Sequence, residues 1–151
     1  MKTGILLLLF LFTGHVLLAE SESERVSLIL DLIPKREKFA QAGNATAAFE
    51  IDAKLIQHPA PADPDFSKLL PGSWRSPRHD YLYRKDGTWT LLPVEEGILH
   101  GRWLLKGNRI YESQGYTPAN EASPAYTIIL LNKDFFVRTD GKYVFYETRL
   151  K

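Results

Sequence analysis

Phe135-Phe136-Val137-Arg138-Thr139-Asp140-Gly141-Lys142-Tyr143-Val144-Phe145-Tyr146-Glu147-Thr148-Arg149 reads as two strands joined by a tight turn. Aromatic and β-branched residues fill both halves, and Gly141 accepts the positive φ that an Asp-Gly hairpin requires. The same punctuation recurs upstream. Asn132-Lys133-Asp134, Gly107-Asn108, Glu95-Glu96-Gly97 and Lys85-Asp86-Gly87 each separate short runs of β-formers. These divisions place strands at residues 73–76, 79–84, 88–93, 98–106, 109–114, 126–131, 135–139 and 142–149. Residues 116–123, with Pro118 among them, form the one long loop. A meander of about eight strands has two open edges that invite aggregation, and closure into a barrel removes them. The expected fold is mainly β: a small up-and-down antiparallel barrel of about eight strands, preceded by short helices and a signal peptide.

Ahead of the barrel the chain divides into three segments. Residues 1–19 combine a basic start at Lys2, an apolar run from Gly4 to Leu18 and a small residue, Ala19, before Glu20-Ser21-Glu22-Ser23-Glu24. That order describes a cleaved secretory signal peptide, and the 15-residue run is short of the roughly 20 residues a membrane span needs. The mature protein is expected to be extracytoplasmic, periplasmic or secreted, with no stable membrane span after cleavage. Residues 20–57 read as helical. Val26, Ile29, Leu30 and Ile33 share one helix face. Pro34 ends or kinks that helix, a second stretch runs to Ala42, and Asn44 caps a third with Ala48, Phe49 and Leu55 inward. Asn44-Ala45-Thr46 also forms a glycosylation sequon. Residues 58–71 carry Pro59, Pro61 and Pro64 and read as an extended linker leading to the barrel at 72–151. The helices can cap the barrel, pack on its wall or pair with a second copy; the expectation is that they cap it as a lid.

Composition narrows the chemistry. With 44% apolar and 12% aromatic residues, the chain has enough material for a packed core. Once Lys2 leaves with the leader, 18 basic residues balance 18 acidic ones, which gives nucleic acid no electrostatic footprint. The absence of cysteine excludes disulfides, thiolate chemistry, Cys-based zinc sites and a lipid-modified cysteine. His58, His79 and His100 lie far apart with no metal-ligand spacing, and no Gly-x-Ser-x-Gly elbow or glycine-rich phosphate cradle is present. No catalytic residue, metal or cofactor is expected, and the protein is not read as an enzyme.

Gly72-Ser73-Trp74, the hairpins Tyr83-Arg84-Lys85-Asp86-Gly87-Thr88-Trp89 and Gly101-Arg102-Trp103-Leu104-Leu105-Lys106-Gly107-Asn108-Arg109-Ile110, and Arg149 together resemble the bacterial lipocalin-like domain family. These are small secreted calycin-type β-barrels. In them Gly-x-Trp opens the barrel and an arginine of the last strand packs across the tryptophan. The resemblance implies a ligand-binding barrel with Trp74 and Arg149 as its structural plug, although the strands here are shorter than a full lipocalin's. Independently of family, a guanidinium stacked on an indole contributes roughly 0.5–2 kcal/mol.

Eight strands enclose either a filled interior or room for one small ligand. Alternation from Arg149 puts Glu147, Phe145 and Tyr143 inward. Trp89 with Leu91, Leu99 with Trp103 and Leu105, Phe135 with Val137, and Tyr126 with Ile128 and Leu130 complete the expected lining. Tyr81, Tyr83, Trp89, Trp103, Tyr126 and Tyr143 are the candidate ligand-binding residues, because Tyr and Trp pair a flat apolar body with a polar tip. For each of them ordinary barrel core is the favoured alternative to ligand contact. Arg78-His79-Asp80 offers a further group able to hold a carboxylate. Two functions fit these residues. One is an exported module binding a small apolar or amphipathic molecule in the barrel. The other is a solid-core periplasmic or secreted interaction protein without a small ligand, presenting Tyr111, Tyr116 and Tyr146 outward.

Overall fold

A computed structural model describes residues 21–92 and 99–151. The expected export signal and the Glu95-Glu96-Gly97 turn lie outside the described residues. Eight strands form one closed antiparallel barrel in sequence order: β1 (Gly72–Arg75), β2 (Asp80–Tyr83), β3 (Thr88–Leu92), β4 (His100–Lys106), β5 (Arg109–Gln114), β6 (Ala125–Leu131), β7 (Phe135–Thr139) and β8 (Val144–Arg149). Three helices precede it: α1 (Glu22–Gln41), α2 (Ala45–Leu55) and α3 (Phe66–Leu69). The fold is thus mainly β and up-and-down, as the turn signals indicate.

The seam between β1 and β8 is brief, pairing Trp74 with Arg149 and Arg75 with Thr148. Side chains reinforce it. The Arg149 guanidinium lies 4.0 Å from the centroid of the Trp74 ring. It donates to the carbonyl oxygens of Leu69, of Pro71 at 3.1 Å and of Lys133 at 2.9 Å. Trp74 is fully buried and donates its indole N–H to the Leu70 carbonyl at 2.8 Å. Gly72 makes room for this closure. Its φ is +146°, and a Cβ there would sit 2.1 Å from Arg149 Nη1. Residues 58–71 are built into the same end of the barrel: Ala60, Phe66 and Leu70 join Trp74 in the barrel core.

A second core lies outside the barrel wall. Ile29, Leu32 and Ile33 of α1 and Ile51 and Leu55 of α2 pack on Ile129, Leu130, Val137 and Val144 of β6, β7 and β8. The helices therefore pack on the wall and do not cap the mouth. Arg25 secures them by donating to the carbonyls of His58 and Ile129, and Arg36 pairs with the buried Asp52 at 3.0 Å. α1 continues through Pro34, where two helices were expected. Pro34 and Leu30 both face solvent, so water can satisfy the carbonyl that proline leaves without a donor, while the buried face stays continuous. The capping box at Ser21 and Glu24 starts α1, and Asn44 caps α2 by accepting from the Ala47 N–H. Leu30 and Phe49 are exposed rather than inward; Phe49 packs against Tyr143.

Trp74→Ala should cost about 3–5 kcal/mol, the range for a large-to-small core change. Urea unfolding monitored by far-ultraviolet circular dichroism measures this, and a midpoint close to wild type would contradict the closing role of the indole.

Candidate functional site

Period-two alternation and the observed register decide which side chains fill the barrel. Trp74, Tyr83, Trp89, Ile110, Ile128, Leu131 and Phe136 form its buried centre, with Tyr81, Leu91, Trp103, Leu105 and Tyr126 partly buried against them. Five of the six candidate aromatics, Tyr81, Tyr83, Trp89, Trp103 and Tyr126, thus belong to the interior. Tyr143 does not. It precedes β8, stands at the protein surface and packs on Phe49 of α2 and under the Lys142 ammonium.

Two phases differ from expectation. On β7 the inward residues are Phe136 and Arg138, while Phe135 and Val137 face the helices. On β6 a bulge between Ile128 and Leu130 lets Ile129 and Leu130 both turn toward the helices, and Leu131 takes the inward place expected of Leu130. Leu99 is exposed rather than lining the lumen. Gly101 has a specific use: the Trp89 indole crosses it to donate to the Ser113 carbonyl at 3.2 Å. A Cβ at Gly101 would lie 1.8 Å from that oxygen and 2.7 Å from Trp89 Nε1.

The unusual feature of the interior is charged. Arg138 is 3% exposed, yet it carries its guanidinium into the aromatic core. Its Nη1 donates to Glu112 of β5 and its Nη2 to Glu147 of β8 at 3.1 Å. Glu112 also accepts from the Tyr83 hydroxyl at 2.6 Å. Around the guanidinium stand the rings of Tyr126 at 4.5 Å, Phe136 at 5.1 Å, Tyr81 at 5.5 Å, Tyr83 at 5.9 Å and Phe145 at 6.0 Å. Arg138 Nε and Glu147 Oε2 are buried without a hydrogen-bond partner among the described residues. Above the cluster, Tyr81 and Tyr126 are partly exposed and Phe145 is exposed, edge-on to Tyr126 at 5.6 Å. The arrangement is a polar floor beneath an aromatic rim.

Electrostatics follow from burial. Burial pushes the Glu147 carboxyl up to about 7, partly opposed by Arg138. Burial works against the charge on Arg138, but Glu112 and Glu147 outweigh it and hold the guanidinium well above its ordinary value. Burial likewise raises the phenols of Tyr81, Tyr83 and Tyr126, so all three remain neutral donors at pH 7. A buried ion pair is weak evidence of stability, since apolar residues of similar volume often serve as well. Each orphaned polar atom costs a further 1–3 kcal/mol or so. The cluster is therefore poorly explained as filling.

Glu147 faces inward as alternation from Arg149 places it, whereas Arg138 and Glu112 lie outside the expected lining, and none of the three is among the candidate ligand-binding residues. An arginine centred in an apolar strand, with glutamates in matching phase on two others, is the signal that marks them. Arg78 and His79 sit in an exposed turn closed by Ser76, while Asp80 pairs with Arg75 at 2.9 Å, which holds its carboxyl below the usual range. Tyr111 is buried and Tyr146 packs on the second core, so of the three outward tyrosines only Tyr116 is freely exposed. Two cavities, of about 320 and 270 Å³, lie against β3–β4 and against residues 62–67, and the core aromatics fill the barrel's centre. No group of three or more His, Asp or Glu residues among the described residues converges as a metal site, and no described helix is long and apolar enough to cross a membrane. Compared with protein-family models, curated proteins and solved structures, the chain matches none. Its eight-stranded barrel is compatible with a lipocalin-like fold.

The charge cluster sets a pH dependence. An unfolded Glu147 titrates near 4.5 and the folded one near 7, so the native state holds this proton more tightly. The resulting stabilisation is complete below pH 4.5 and is lost as pH rises through about 7, amounting to a few kcal/mol by order of magnitude. Glu147→Gln should flatten the melting temperature across that window, above the range where Asp80 and Glu22 titrate. Parallel profiles for the two proteins would contradict the assignment.

Proposed function

We propose that the protein is an exported lipocalin-like module that binds a small apolar or amphipathic molecule at the open end of its barrel. The observation that carries this reading is the pair of unsatisfied buried atoms, Arg138 Nε and Glu147 Oε2, beneath the aromatic rim. A bound molecule lays its apolar body on Tyr81, Tyr126 and Phe145 and turns a polar end toward the cluster. There an acceptor meets Arg138 and a donor meets Glu147. Such a site is mostly apolar with a few placed polar groups, the usual make-up of a small-molecule pocket. Because aromatic side chains pack the centre, the molecule sits in the mouth and not in an enclosed lumen. Export rests on the apolar run that precedes Glu20-Ser21-Glu22-Ser23-Glu24. The chemistry proposed is reversible binding without catalysis, cofactor or metal.

A second reading, a solid-core periplasmic or secreted interaction protein, is favoured by the same packed centre and by cavities that lie against the outer wall.

Native mass spectrometry of protein purified from its own host distinguishes the two. The expected result is a non-covalent adduct that Phe145→Ala weakens about tenfold, the effect of losing roughly 1.5 kcal/mol of apolar contact. Recovery of unliganded mass alone from the wild-type protein overturns the binding reading and leaves the second.

A further inference from the structure

A cavity of about 320 Å³ on the outside of the barrel combines two guanidinium groups that have no ion pair among the described residues with an exposed ring. It is lined by Arg84, Thr88, Thr90, His100, Arg102 and Tyr116, among others. The register explains how they meet. Thr88 lies opposite Arg102 and Thr90 opposite His100, and these alternate with the inward Trp89 and Trp103, so all four face outward. Arg84 is held at the same end because its N–H donates to the Thr88 carbonyl at 2.8 Å. Gly115, with φ +67°, donates its N–H to the His100 carbonyl at 2.8 Å and begins the loop that brings the Tyr116 ring to 5.2 Å from the His100 ring.

The chemistry of this cavity is specific. Arg84 and Arg102 are exposed, and neither guanidinium forms a hydrogen bond or ion pair among the described residues. The acid that senses both is Asp86, and it is already engaged by the hydroxyl and N–H of Thr88. His100 Nε2 is shielded from solvent and has no hydrogen-bond partner among the described residues. Tyr116, 86% exposed, leaves most of its ring open. The Tyr116 ring rests tilted on His100 and keeps an exposed aromatic surface on which a further ring can stack. Guanidinium groups bind carboxylate and phosphate oxygens through paired donors.

We propose that this cavity is a second binding site, for a small aromatic molecule bearing a carboxylate or phosphate ester. The anionic group pairs with Arg84 and Arg102, and the ring stacks on Tyr116 beside His100. The volume suits a small molecule of that kind. The site shares none of these residues with the barrel mouth, and its fate is independent of the binding function proposed there.

The test is an NMR titration of the full chain with phenyl phosphate and with benzoate, reading the amide signals of His100, Arg102 and Tyr116. Phenol and inorganic phosphate serve as controls that lack the charge or the ring. The expected result is saturable shifts confined to this face, tighter for phenyl phosphate or benzoate than for either control. Arg102→Gln and Tyr116→Ala each weaken binding about tenfold or more, and both positions are exposed enough to leave the fold intact. Phe145→Ala leaves this titration unchanged. Absence of saturable shifts, equal affinity for phenyl phosphate and inorganic phosphate, or unchanged affinity in both variants overturns the proposal.

Discussion

A guanidinium lying on an indole holds the two ends of the sheet together. The β1–β8 seam has only two registered residue pairs, and one of them is Trp74 with Arg149. A seam that short supplies few ladder hydrogen bonds. Closure is therefore shared with side chains that reach beyond it. Arg149 gathers carbonyls from Leu69, Pro71 and Lys133, and Trp74 reaches Leu70. These contacts fasten α3 beneath the barrel and seat Phe66 and Leu70 in its core. At Gly72 any side chain would collide with the guanidinium. Sheet closure, floor and entry of the chain into β1 thus form one cooperative unit.

With that end sealed and the centre packed, the remaining chemistry collects toward the other end. Arg138 is the interior's only described cation with carboxylates on both sides, and each partner comes from a different strand. The cluster ties β5 across the lumen to the paired strands β7 and β8, a link that backbone hydrogen bonds do not make. Its cost is desolvation, and the raised Glu147 carboxyl expresses that cost as protonation near neutrality. The same low-dielectric setting strengthens any polar group that approaches.

The turn chemistry was legible because it is local. Asp140-Gly141, Gly107-Asn108 and Lys85-Asp86-Gly87 each mark a hairpin that the structure contains, and the strands at Arg109–Gln114 and Phe135–Thr139 have the bounds expected of them. Strand phase was less legible. Phe135-Phe136-Val137 is apolar on both faces because one face meets the barrel core and the other meets helices. Arg138 then resembles a surface residue, since nothing near it in sequence announces Glu112 or Glu147. Pro34 misled for a related reason: its helix is carried by tertiary packing, which overrides the lost hydrogen bond. Among the candidate aromatics, Tyr143 was misplaced because alternation was extended past the start of β8 into a turn.

The bulge in β6 makes that strand a component of two cores at once. Before it, Tyr126 and Ile128 face the lumen; at it, Ile129 and Leu130 face the helices; after it, Leu131 returns inward. An apolar side chain there can be exchanged for another, whereas a change in length by a single residue would exchange the inward and outward faces of the rest of the strand. Spacing in this segment is therefore constrained more tightly than side-chain identity, and the loops on either side are where a change in length does least harm.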